Sequence, residues 1–125
     1  MKVEIPMLKQ ELKDGEVINK ETTVLFDLDT SVYSEERWEQ NFPKMAEHEG
    51  LFQYIERVQK NSLTDRVKVA SMLKAIFCFI ESESVTSYKE FAKMFNLATP
   101  DYTSRLIDSL KNAFKLVLGG SSVKN

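Results

Sequence analysis

What is scarce in this 125-residue chain narrows its chemistry first. Cys78 is the only cysteine, which excludes an intrachain disulfide and a thiolate-bound metal cluster. His48 is the only histidine, flanked by Glu47 and Glu49, and no second ligand stands at helical spacing from it. The four glycines are isolated or terminal, so no phosphate-cradling loop exists. The longest apolar run, Ala75 to Ile80, covers six residues, far short of the about 20 that a membrane span needs. Met1 to Pro6 carries acid and no leader-like apolar stretch, which makes the cytoplasm the expected location. Positive charge is not in excess either. Seventeen Lys and Arg stand against nineteen Asp and Glu, a net −2 with both signs interspersed. A nucleic-acid binder needs a basic stripe to neutralise phosphates, and none is visible.

What is present is ordinary globular material: 42% hydrophobic and 29% charged residues at the size of one domain. Residues 1–29 differ from the rest. Val3, Ile5 and Met7 alternate with Lys2 and Glu4, the period of a half-buried strand. Asp14-Gly15 is a turn signal, because glycine accepts positive φ. Glu21 to Leu28 is rich in β-formers. These features predict an N-terminal β-hairpin, with Pro6 on an edge strand.

After Asp29 every periodic segment is helical. A first helix is expected from Thr30 or Ser31, carrying Tyr33, Trp38 and Phe42 and ending at Phe42-Pro43. A second runs from Pro43 to about Gln59, with a break at Gly50. Thr64 is expected to cap a third helix that runs to Ser82 and reads as the central core helix, its Val69, Leu73, Ile76 and Ile80 forming one stripe. Ser87-Tyr88-Lys89-Glu90 is a capping box that opens a short helix through Phe91 and Phe95. Thr99-Pro100-Asp101 opens the last helix, striped by Tyr102, Leu106, Leu110, Ala113, Phe114 and Val117 and stopped at Gly119-Gly120. Residues 119–125 read as a flexible tail. The expected fold is α+β, mainly α: a single domain with a β-hairpin followed by about five helices packed around a central one, the helical region spanning 30–118.

Several motifs invite chemical readings. Val24 to Asp29 is an apolar strand ending in Asp-x-Asp, which resembles the nucleophile motif of haloacid-dehalogenase-type phosphatases, with Asp27 and Asp29 as the acids. That chemistry requires a doubly wound parallel sheet and a lysine from a later strand, whereas helices follow here. The simpler reading makes Asp29, Thr30 and Ser31 a strand-to-helix cap. A calcium loop starting at Asp27 fails, since its sixth and twelfth positions hold Val32 and Trp38 instead of Gly and Glu. A Cys78–His48 dyad conflicts with the apolar setting of the thiol. No enzyme signature remains, and no cofactor is expected. Aromatics among charges, such as Tyr33, Trp38, Tyr54, Tyr88 and Tyr102, are what protein interfaces use.

The segment Phe26-Asp27-Leu28-Asp29-Thr30-Ser31-Val32-Tyr33-Ser34-Glu35-Glu36-Arg37-Trp38-Glu39-Gln40-Asn41-Phe42-Pro43 resembles the signature of tail assembly chaperones from long-tailed, non-contractile bacteriophages and prophages of Gram-positive hosts. Gly50 to Val58 fits the same pattern, and the resemblance spans about Phe26 to Leu118. It implies a non-enzymatic protein that coats the tape-measure protein, helps recruit tail-tube subunits, and is absent from the finished virion. Many members of that family are also made in a longer frameshifted form, and the resemblance is compatible with a homo-oligomer. Avidity of many weak copies on a helical client, through helix-in-groove contact, is the expected physics. Trp38, Phe42 and an exposed side of the last helix formed by Tyr102, Leu106 and Leu110 are the expected protein-binding residues. The competing reading has Trp38 and Phe42 locking the first helix onto the sheet. The rival functions are a structural tail component and the phosphatase on Asp27 and Asp29.

Overall fold

The computed structural model describes residues 1–81, 85 and 87–119. Strands β1 (Lys2–Lys13) and β2 (Glu16–Asp27) form a two-stranded antiparallel hairpin. Helices α1 (Tyr33–Asn41), α2 (Pro43–Ala46), α3 (Leu51–Lys60), α4 (Asp65–Phe79), α5 (Tyr88–Ala92) and α6 (Pro100–Val117) follow. The architecture is the expected α+β, mainly helical. Six helices replace about five because the segment after Pro43 breaks at Gly50. Gly50 is extended there (φ −76°, ψ 169°), and its N–H donates to the Gln53 side chain at 3.0 Å.

The hairpin is nucleated by its turn. Asp14 (φ 53°) and Gly15 (φ 79°) are both left-handed, the two-residue turn whose twist matches that of the strands. Strand pairing then runs unbroken from Lys13↔Glu16 to Lys2↔Asp27. Only its base packs. Val3, Ile5, Leu8, Phe26 and Leu28 are buried. The expected alternation slips at Pro6: Leu8, not Met7, turns inward, where it meets Phe95 in a parallel bridge.

Helix α4 is the hub, packing on α1, α3, α5 and α6. Five consecutive residues, Ala75 to Phe79, are buried, so its last turns are apolar all round. Thr64 occupies the N-cap position without a side-chain cap bond, contrary to expectation, and the helix ends at Phe79, before Ser82, which lies outside the described residues. Ser87 does cap α5, its Oγ accepting from the Glu90 N–H at 3.2 Å. Thr99 caps α6, accepting from the Tyr102 N–H at 3.4 Å. Gly119 takes φ +84° just past the end of α6. The rest of the expected tail, 120–125, lies outside the described residues. The buried side chains of hairpin and helices join in one core.

Candidate functional surface

The corner where β2 hands over to α1 is built by short-range bonds. Asp29 Oδ1 accepts the Ser31 N–H at 2.9 Å, and Ser34 Oγ donates to the Ser31 carbonyl at 2.8 Å. The Ser31 bond holds the Asp29 carboxyl below its usual range. The same corner is pinned to the end of α4: Leu28 bridges Ile80, the Asp29 N–H reaches the Phe79 carbonyl, and the Glu81 N–H reaches the Asp27 carbonyl. Asp27 lies on Lys2, its cross-strand partner, at 2.8 Å, an exposed ion pair that lowers its pKa. Asp27 therefore ends a strand of an antiparallel hairpin and Asp29 follows it in the corner to α1, without the parallel sheet that the phosphatase motif needs. Among the described residues, no three of His, Cys, Asp and Glu converge as a metal site would require.

Helix α1 turns the signature residues inward. Arg37 donates to the carbonyls of Ile80 and Phe77, and its guanidinium stands 5.4 Å from the Phe77 ring centroid. A cation thus meets the carbonyls at the C-terminal end of α4, of which the Phe77 carbonyl also accepts the Ile80 N–H. Glu35 does the converse for α3, accepting the Leu51 N–H at 3.1 Å. Trp38 is fully buried; its indole N–H donates to the Glu49 carbonyl at 3.0 Å. Its ring lies 4.8 Å from Tyr54 and 5.4 Å from Phe42. Phe42, only partly buried, packs edge-on against Tyr88. Trp38 and Phe42 therefore lock α1 to α3 and α5 instead of to the sheet.

The other expected binding residues are interior too. Tyr102, Leu106 and Leu110 are at most 1% exposed, so α6 has no open apolar side there. The reason is position: α6 is sandwiched between β1 and α4, and both neighbours claim a stripe of it. Tyr102 additionally donates its hydroxyl to the Pro6 carbonyl at 2.8 Å, tying α6 to the hairpin. In this structure none of the three presents a surface to a partner, and the same holds for Trp38.

What is open is the hairpin's outer half. Every residue from Lys9 to Lys20 is exposed, on both faces. Leu12 (77%), Val17 (65%) and Ile18 (40%) are apolar residues left in solvent. Gln10 still accepts from Asn96 and Glu21 still pairs with Arg105, but Glu11 to Asn19 make no hydrogen bond or ion pair to the described helices. At about 3.4 Å per residue, such an arm reaches roughly 15 Å beyond the body. Sequence inspection missed it because Leu8 to Leu12 and Val17 to Lys20 show no clean burial period. The length of chain between turn and base was the available clue. Further exposed apolar residues, Val32 and Tyr33, stand at the start of α1. A 270 Å³ concavity among α3, α4 and α6 is rimmed by Lys68, Lys111 and Lys115 over Val58 and Met72. It is large enough for one or two side chains of a partner, preferably acidic ones.

The remaining chemical candidates are quiet. Cys78 is buried, its thiol pushed up to about 12 by desolvation, and Sγ donates to the Lys74 carbonyl at 3.4 Å. His48 is exposed. No helix among the described residues is long and apolar enough to cross a membrane. No family model matches the chain, and neither a curated protein nor a solved structure does.

Proposed function

We propose that this protein is a non-enzymatic tail assembly chaperone of a long-tailed phage or prophage, binding the tape-measure protein during tail morphogenesis. The supporting observation is a division of labour. The signature-like residues Arg37, Trp38 and Phe42 hold the fold together, while an apolar-tipped arm stands free for a client. In this reading the client contacts are Leu12, Val17 and Ile18, with Val32 and Tyr33 as a second exposed apolar group. These take the place of the buried Tyr102, Leu106 and Leu110. Such small patches bind weakly one at a time, and many copies along a repetitive helical client gain by avidity. The protein would act in the bacterial cytoplasm and be left behind by the finished particle.

Co-expression with the tape-measure protein tests this. The tape measure should become soluble with the wild-type chain, and less so with Leu12→Ser/Val17→Ser/Ile18→Ser. Equal tape-measure solubility with and without the chaperone would sink the proposal.

A further inference from the structure

The arm has two edges, and they are not equivalent. The two-residue turn makes Lys13 and Glu16 a hydrogen-bonded pair, so the pairs alternate from there. Glu11:Ile18 and Lys9:Lys20 exchange bonds across the hairpin, while Leu12:Val17, Gln10:Asn19 and Pro6:Thr23 direct their backbone groups outward. On β1 that outer edge is blunted. Pro6 has no N–H to offer, its carbonyl takes the Tyr102 hydroxyl, and Leu8 is bridged to Phe95. On β2 the outward groups of Val17, Asn19 and Glu21 have no backbone partner among the described residues. At its far end, the same edge already accepts a short stretch, Phe79 to Glu81, against Asp27 to Asp29.

The arm also carries an electrostatic fault. Lys9 and Lys20 are direct cross-strand partners, like charges side by side on one face. Glu16 lies on that face too, four residues back along β2 and opposite its own partner Lys13, with Glu11 between Lys9 and Lys13.

We infer that two copies of this chain pair through the β2 edges of their arms, antiparallel about a two-fold axis at Ile18. This register sets Val17 opposite Asn19 of the second copy, twice, so that the four outward backbone groups of Val17 and Asn19 on each strand are satisfied. It sets Ile18 against Ile18, covering a side chain that is 40% exposed in the single chain. It also sets Glu16 of each copy opposite Lys20 of the other, relieving both Lys9–Lys20 repulsions. Sliding by one residue turns the backbone groups away from one another. Sliding by two, either way, separates Glu16 from Lys20. The Glu16–Lys20 pairing and the outward backbone groups together select this register, and the interface is isologous and closed. The contact is short, so the dimer is weak and concentration-dependent. The inference rests on the strand edge, its charges and the exposed Ile18, and not on the tail-assembly reading.

Charge swaps on the exposed arm test it without touching the core. Sedimentation velocity should show the wild-type chain dimerising as concentration rises toward the millimolar range. Lys20→Glu, although it improves the Lys9 pairing within the hairpin, should weaken the dimer by about tenfold or more, because Glu16 then faces Glu. Glu16→Lys should do the same. The double swap Glu16→Lys/Lys20→Glu should restore association, and Trp38 fluorescence should confirm an unchanged fold in all three. A wild-type chain that stays monomeric throughout would overturn the inference and leave the edge to a strand of some other protein. A dimer indifferent to the single swaps, or not rescued by the double, would equally overturn it.

Discussion

Removing the indole of Trp38 separates a folding role from a binding role. The side chain is 0% exposed, packed between Tyr54 and Phe42, and its N–H satisfies the Glu49 carbonyl. Truncating a buried aromatic of this size costs about 3–5 kcal/mol in lost transfer energy and cavity. Trp38→Phe keeps most of the ring contact but strands the Glu49 carbonyl, which costs about 1–3 kcal/mol. Domains of this size are stable by roughly 5–15 kcal/mol, so Trp38→Ala removes a large share. Urea unfolding followed by far-UV circular dichroism measures both variants on the same footing. The wild-type curve has an internal control, since Trp38 is the only tryptophan and its fluorescence should report the same transition. The expected order is wild type, then Phe, then Ala. If Trp38→Ala loses less than about 1 kcal/mol while client binding disappears, the assignment of this residue to the fold is wrong.

Two further outcomes follow from buried titratable groups. Cys78 should react with a neutral thiol reagent at pH 8 only at the rate of protein opening, and rapidly in urea, because burial raises its thiol to about 12. Fast labelling of the native protein would contradict its placement. Tyr54, Tyr88 and Tyr102 all have phenols raised by desolvation, Tyr88 to about 12. The unfolded chain loses these protons near pH 10 while the folded chain keeps them, so stability should fall as pH rises from about 10 upward. Replacing Tyr88 by Phe should flatten that fall, as read from thermal unfolding at a series of alkaline pH values.

The local punctuation of this chain was legible. Asp14-Gly15, the break at Gly50, Pro43 opening a helix and the caps at Ser87 and Thr99 each follow from the backbone needs of one or two residues. They appear where those needs predict. Thr64 was the exception, since occupying a cap position does not oblige a hydroxyl to make the bond. Reading burial was harder. Periodicity shows that Tyr102, Leu106 and Leu110 share a face, but not that β1 and α4 enclose α6 from two sides. Nor could it show that Arg37 reaches forty residues along the chain to the end of α4. The arm escaped notice for the opposite reason. Hydrophobic alternation reveals a strand by what it buries, and the outer half of this hairpin buries nothing in the single chain.

Helix α1 faces the amino end of α3 with an anion and the carboxyl end of α4 with a cation, while the residues just before it are stitched to the strand-like end of α4. A bracket fastened at three points has little freedom to pivot. The corner at the base of the hairpin is thereby tied to the central helix, so that a load carried down β2 to that corner passes to α4.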